Sequence, residues 1–363
     1  MVKPDIAPGN IPVRRHNLNI AFLFYLLVSL ALVSCSSATG VVFDPAKPHH
    51  GDGEFISVKK GSFFGHLRMR MREDDPPPRD DPEAVMAIIG EVDRDLVDSF
   101  AAKPRVTWIG HATTLVQYRG INFLTDPHLT QYPFYYEFYL EPRFTQPALS
   151  FAEMPAIDFI VISHNHYDHL DHRTVDMFGD SVLWYVPLGL KAWFLDRGIS
   201  SHRVIELDWW QNHQFNEQVL VTFTPTEHWS KRTPWDTNQS LWGGWAVDID
   251  GFKSWFAGDT AYHLDYFRDI GERLGPFRLA MIPIGAYAPR YFMGSSHVDP
   301  GQAIDIHQDI DAEQSLAIHW GTFQMTIEPA FEPPQLLQQE MAKRGLAAEE
   351  FEVVKIGDTL ILD

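Results

Sequence analysis

The sequence predicts an α/β (α+β) fold of two mixed β-sheets flanked by helices, and three observations carry that expectation. From Arg105 onward, short apolar runs bounded by turn residues follow one another as strands. Stretches with helical apolar spacing fall between some of these runs, without the strict regularity of a strand–helix–strand repeat. At 363 residues and 45% hydrophobic, the chain can also bury a sizeable core.

Taken in order, residues 82–100 carry Ala84, Ile88, Val92 and Leu96 four apart, which predicts a helix. Runs 106–109 and 114–118 are strands, and Arg119-Gly120 turns the second into 121–125 as a hairpin. Further strands are expected at 159–163, 182–186, 204–207, 219–224, 245–249, 254–257, 279–282 and 316–319. Helices are expected at 188–197, 299–310 and 334–344. The helix at 299 has a mechanism: Asp299 caps, Pro300 suits the first turn, and Gln302 stands three after the cap.

A formal net charge of -19 leaves no basic excess to replace phosphate counterions, which argues against nucleic acid as a partner. The basic residues that do cluster lie near the N-terminus. Arg14, Arg15 and His16 precede an apolar run at 18–33, and the single cysteine, Cys35, follows it. That order reads as an export signal whose end resembles a bacterial lipobox, so residues 1–35 would be signal peptide and lipobox, with Cys35 acylated as the mature first residue and a membrane-surface anchor. The alternative is an uncleaved N-terminal anchor, and either route takes the chain out of the cytoplasm. Residues 36–104 read as a tether and arm. Within them, 58–72 hold Lys59, Lys60, Arg68, Arg70 and Arg72 among Phe63, Phe64 and Leu67, either to meet anionic headgroups or to pack as a solvated arm. A charged proline linker follows at 73–82, and residues 105–363 form the main domain.

The chemistry concentrates in His164-Asn165-His166-Tyr167-Asp168-His169, directly after the apolar strand that ends at Ser163. Four such ligands in six residues cannot all be buried unpaired without a heavy desolvation cost. One loop cannot close two metal sites, and three further candidates each end an apolar strand: His228, Asp259 and His319. Alone, each is more often a structural polar residue; together they complete a metal-ligand pattern.

That order, HxHxDH, then His, then Gly-Asp-Thr, then His, resembles the metallo-β-lactamase superfamily. Longer stretches resemble its N-acyl-phosphatidylethanolamine-hydrolysing phospholipase D family. They include 106–113 (VTWIGHAT), 163–171 (SHNHYDHLD), 205–210 (IELDWW), 224–233 (TPTEHWSKRT), 282–290 (IPIGAYAPR) and 317–323 (AIHWGTF). The likeness runs from about Arg105 to the C-terminus; the preceding hundred residues lie outside it, and the export signal departs from the animal enzymes.

The resemblance implies an αββα sandwich and two zinc ions. His164, His166 and His228 would hold one ion, Asp168, His169 and His319 the other, with Asp259 bridging. It makes Asp168, Asp259 and His297 catalytic and sets Tyr167 and His297 beside the substrate phosphate. Asp126 and His111 would orient ligands; the alternatives are turn capping by Asp126, a core hydrogen bond for His111, and a turn cap for His297. Two metals about 3.5–4 Å apart lower the pKa of a shared water and neutralise phosphoryl charge. The expected reaction releases an N-acylethanolamine from a membrane phospholipid and leaves phosphatidic acid. The same chemistry could instead open a lactone, a β-lactam or another phosphodiester, and a non-catalytic zinc-binding envelope lipoprotein is the remaining reading. The aromatic stretch 132–144 (YPFYYEFYLEPRF) would either lip the acyl chains or pack against the sandwich or a subunit. A homodimer is implied only by the resemblance.

Overall fold

A computed structural model describes residues 40–57, 82–133 and 142–362, with the side chains of 82–84 excepted. The expected export signal and Cys35, the basic stretch 58–72, the linker up to residue 81 and most of the aromatic stretch lie outside the described residues. Among the described residues no helix is long and apolar enough to cross a membrane.

Among the described residues, fourteen strands form two seven-stranded sheets. The first runs in the order β14 (Thr359–Ile361), β1 (Arg105–Gly110), β2 (Thr113–Tyr118), β3 (Ile121–Thr125), β4 (Phe159–Val161), β5 (Leu183–Pro187) and β6 (Val204–Leu207). The second runs β13 (Phe351–Glu352), β12 (Ser315–Ile318), β11 (Leu279–Pro283), β10 (Phe252–Phe256), β9 (Gly244–Ile249), β8 (Val219–Thr224) and β7 (Asn212–Asn216). Each sheet is mixed: β1–β3 and β7–β10 pair antiparallel, while β3–β6 and β10–β13 pair parallel. The predicted hairpin is present. Arg119 and Gly120 both have positive φ, 49° and 80°, as a two-residue turn matching strand twist requires.

Alternation along the strands separates the layers. Trp108, Phe123, Phe159 and Tyr185 of the first sheet join Phe223, Trp245, Phe256 and Met281 of the second in one inter-sheet core. The intervening Ile109, Leu124, Ile160 and Trp184 face outward into a second cluster. That cluster is covered by α3 (His172–Phe178) and α4 (Lys191–Asp196), following the short α1 (Pro82–Ala87) and α2 (Arg94–Asp98). After β10 come α5 (Leu264–Leu274), the single turn α6 (Arg290–Met293), α7 (Pro300–Asp309) and α8 (Glu332–Arg344); α7 packs on β11, and α5 and α8 pack on α7. Asp299 caps α7 as expected, accepting from the Gln302 amide at 3.0 Å.

The expected helix at 82–100 is instead broken between α1 and α2. Ile88 and Gly90 exchange backbone hydrogen bonds of 2.8 Å with Ile356, so a strand-like bridge replaces helical bonds there. Gly90, the residue least suited to a helix interior after proline, stands at the break, with the Asp358 carboxylate close against its Cα. Within the stretch expected as a tether, residues 40–57 pack on the sandwich, and Phe55 is 1% exposed, joined to the larger hydrophobic cluster.

The fold places chemistry at one end. The C-terminal ends of β3, β4, β8, β10 and β12 lead directly into Asp126, His164, His228, Asp259 and His319. Two bonds tie the sheets beneath them: Trp245 Nε1 donates to Ile162 O at 2.8 Å, and Gly243 N to Ser163 O at 3.0 Å.

Candidate metal centre

Asp126 sets the loop that follows β4. Its carboxylate accepts from Ser163 N at 2.7 Å and Ser163 Oγ at 2.5 Å, and its other contact is His169 Nδ1 at 2.7 Å. Ser163 Oγ also lies 2.9 Å from His164 Nδ1. One buried carboxylate thereby fixes the start and the end of the histidine loop. Gly258 lets Asp259 approach: at φ +61°, a Cβ there would stand 2.4 Å from Ser163 Cβ.

The seven expected ligands converge in two groups. His164, His166, His228 and Asp259 form one, and Asp168, His169 and His319 form the other together with His111; within each, the ligand atoms lie within 4.8 Å of one another. Asp259 stands between them. Its Oδ2 is 3.8 Å from both His164 Nε2 and His228 Nε2 and 3.1 Å from His169 Nε2, while Oδ1 is 3.2 Å from His319 Nε2. Asp168 Oδ2 is approached by His111 Nε2 at 3.0 Å, His169 Nε2 at 3.3 Å and His319 Nε2 at 3.4 Å.

The donor set fits metal ions on observations of this structure. Imidazole nitrogens face one another, His164 Nε2 to His166 Nδ1 at 2.8 Å and His169 Nε2 to His319 Nε2 at 3.2 Å, where a shared cation suits facing lone pairs. Burial holds the His164 and His166 imidazoles well below their usual pKa and His228 at about 4, so they are neutral and able to ligate. Burial pushes Asp168 and Asp259 upward, but His169 and the other histidines outweigh it and keep both well below the usual carboxylate range. Asp259 Oδ1 is buried without a hydrogen-bond partner among the described residues. Imidazole and carboxylate without thiolate suit a divalent ion such as Zn²⁺.

The outward-facing nitrogens are held as well. His169 Nδ1 meets Asp126, His164 Nδ1 meets Ser163, and His228 Nδ1 donates to Ser296 O at 2.9 Å. Such partners fix the tautomer and aim the ring. His111 serves Asp168 rather than the core alone. His297 lies at the mouth with Nδ1 3.9 Å from Asp259 Oδ2, and burial lowers its pKa to about 3. Tyr167 donates to Arg232 O at 2.6 Å, and the Arg232 guanidinium lies 4.2 Å over its ring. Arg232 in turn donates to Asn165 O at 2.9 Å and Leu170 O at 2.7 Å, clamping both flanks of the histidine loop. Arg232, Ser163 and Ser296 carry no motif signal of their own in the sequence. Ser163 is adjacent to the motif, whereas the contacts of Arg232 and Ser296 depend on loop paths that carry no periodic signal.

Comparison with known proteins agrees with this geometry. The profile of the family described as "Beta-lactamase superfamily domain" matches residues 121–320. Over 263 residues the chain is 39% identical to "N-acyl-phosphatidylethanolamine-hydrolyzing phospholipase D 1" of Caenorhabditis elegans, spanning 69% of this chain and 74% of that protein. The chain belongs to the metallo-β-lactamase superfamily, in its N-acyl-phosphatidylethanolamine-hydrolysing phospholipase D-like family. Over 265 residues it is also 36% identical to the mitochondrial protein of that name from Saccharomyces cerevisiae, spanning 71% of this chain and 56% of that one. Among solved structures, a metallo hydrolase from the archaeon Ignicoccus hospitalis superposes with a TM-score of 0.54 at 20% identity, covering 72% of this chain and 99% of that one. This family member is therefore a metal-dependent hydrolase with an αββα sandwich.

Proposed function

We propose that this hydrolase is a phospholipase D-type phosphodiesterase, cleaving N-acyl-phosphatidylethanolamine to an N-acylethanolamine and phosphatidic acid with two zinc ions. The observation that carries the substrate is the 39% identity, over 263 residues, to a protein named for that activity. The convergence of His164, His166, His228, Asp168, His169 and His319 about Asp259 supports two ions.

In this reading the first three histidines would hold one ion, Asp168, His169 and His319 would hold the second, and Asp259 would serve both. When bound, such ions lower the pKa of a water molecule and neutralise charge on phosphoryl oxygens, which lets an acidic protein act on an anionic substrate. Asp168, kept ionised and 3.0 Å from His111 Nε2, accepts the proton that the attacking water loses. His297 stands two residues before the Asp299 cap of α7, and its ring, with Nδ1 3.9 Å from Asp259 Oδ2, would contact the phosphate. Tyr167 turns its hydroxyl to Arg232 O, and a phosphoryl oxygen would compete with that carbonyl for the phenolic hydrogen. Acylation at Cys35 would hold the enzyme at the lipid surface; palmitate labelling that persists in Cys35→Ser would remove this part of the proposal.

Zinc-loaded protein incubated with N-acyl-phosphatidylethanolamine vesicles should yield phosphatidic acid and N-acylethanolamine by mass spectrometry. Diacylglycerol would mean that the other phosphorus–oxygen bond is cut. Brisk lactone cleavage without phospholipid turnover would overturn the substrate assignment.

A further inference from the structure

The stretch 205–210 (IELDWW) has no part in the metal centre, yet its Asp208 is 1% exposed and its Trp209 8%. We infer that Asp208 and Trp209 are the dock for the chain's own strap, residues 40–57, and that through Ser57 this strap positions His228.

Asp208 gathers three donors from the strap. Lys47 Nζ lies 2.5 Å from Oδ2, His50 Nε2 3.1 Å from Oδ2, and His49 Nε2 2.7 Å from Oδ1. The His49 ring also stacks on Trp209, with centroids 4.3 Å apart and planes at 30°. Trp209 is held from behind, its Nε1 donating to Trp242 O at 2.7 Å. Two histidines and a carboxylate invite a reading as a metal site, but the local hydrogen bonding opposes it. The Asp44 amide donates to His50 Nδ1 at 3.0 Å, so the His50 proton sits on Nε2 and points at Asp208. An ammonium on the same carboxylate oxygen would repel a cation. The cluster is a latch of charge-assisted hydrogen bonds.

The latch connects to the catalytic end through a short hairpin. Ile56 N donates to His49 O at 2.9 Å, and Gly51 N to Glu54 O at 2.8 Å, which folds 49–56 back on itself. Phe55 then enters the core, and its amide donates to Asn238 O at 2.8 Å; Gln239 Nε2 returns a bond of 2.8 Å to Gly53 O. Ser57 Oγ donates to His228 O at 2.6 Å. The strap therefore braces both ends of the 228–240 loop, which carries a ligand of the first half-site at its start and the Arg232 clamp in its middle. Ser57 touches no reacting atom; it is a positioning residue.

Full-length Asp208→Asn keeps the volume and removes the charge that holds the latch. Hydrogen exchange in 40–57 should accelerate about tenfold, with 228–240 accelerating in step, in zinc-loaded and metal-free protein alike. One zinc dissociation constant should rise about tenfold, while the half-site of Asp168, His169 and His319 keeps its own. His49→Ala cuts the same latch more mildly and should move both readouts the same way. Ser57→Ala should leave 40–57 protected but still weaken that zinc site about fivefold, the worth of one hydrogen bond, and Ser57→Thr should restore it. A strap that stays protected in Asp208→Asn overturns the dock. A strap set free with 228–240 exchange and both zinc constants unchanged overturns the positioning role. Neither readout involves phospholipid, so the outcome is independent of the substrate assignment.

Discussion

Asp126 Oδ2 lies 2.7 Å from His169 Nδ1, both residues fully buried, and the same carboxylate anchors the Ser163 amide at 2.7 Å. An asparagine there has a single acceptor oxygen, so it presents an NH2 either to the Ser163 amide or to His169 Nδ1, and it carries no charge. Asp126→Asn should therefore lower affinity at the second half-site about 10–100-fold and leave the fold intact. Metal titration of the variant decides; wild-type affinity would reduce Asp126 to a turn cap.

Gly258→Ala should disturb the Asp259 carboxylate without touching it. The added methyl would stand 2.4 Å from Ser163 Cβ and 2.7 Å from Ser163 Oγ, at a φ of +61°. Overpacking of this kind costs about 1–3 kcal/mol, and relief requires Asp259 or the histidine loop to move. Both metal equivalents should weaken. Gly251→Ala is the control: its φ is +87°, but nothing lies within 4 Å of its added Cβ, so it should lose only a little stability and keep both metals. Equal metal contents in the two variants would refute the steric account.

The ligands were legible because each ends an apolar strand, and strand ends on one side of a mixed sandwich converge. Elements whose identity rests on long-range pairing were not. Strand β7 (NHQFN) is polar and half exposed, and only its ladder with β8 makes it a strand. Helix α5 was passed over although Phe267 and Ile270 bury one face, since Leu264 is 39% exposed and no side chain caps its start. The break at Gly90 follows from a bridge to Ile356, more than 260 positions away. The strap escaped for the same reason: His49 and His50 acquire meaning only beside Asp208.

Acid should loosen the strap before it unfolds the sandwich. Burial pushes the Asp208 carboxyl upward, but the hydrogen bonds from His49 and Lys47 outweigh it and hold its pKa well below the usual aspartate value. A carboxylate depressed on folding stabilises the native state above the unfolded pKa of about 3.9, and that contribution drains away as pH falls through the lower folded value. Exchange protection of 40–57 should thus fall as pH drops below about 3.9 in the wild type and lack this component in Asp208→Asn. Identical acid profiles for the two proteins would show that Asp208 does not carry the effect.

The two half-sites should also be separable by mutation. His166 contributes only to the first group, with Nδ1 2.8 Å from His164 Nε2 and 3.2 Å from His228 Nε2. His166→Ala leaves Asp168, His169, His319 and Asp259 untouched, so metal stoichiometry should fall from two equivalents to one. His319→Ala should do the same from the other side, and each should abolish turnover, because the proposed chemistry needs both ions on one phosphate. In the wild type, chelation should lower the melting temperature. Zinc at about 100 times its dissociation constant should then restore about 2.7 kcal/mol for each site filled, since it binds the folded state alone. A His166→Ala protein that loses both ions would mean that the halves fill as one cooperative unit, with Asp259 as the coupling. Full activity with a single ion would remove the two-metal mechanism altogether.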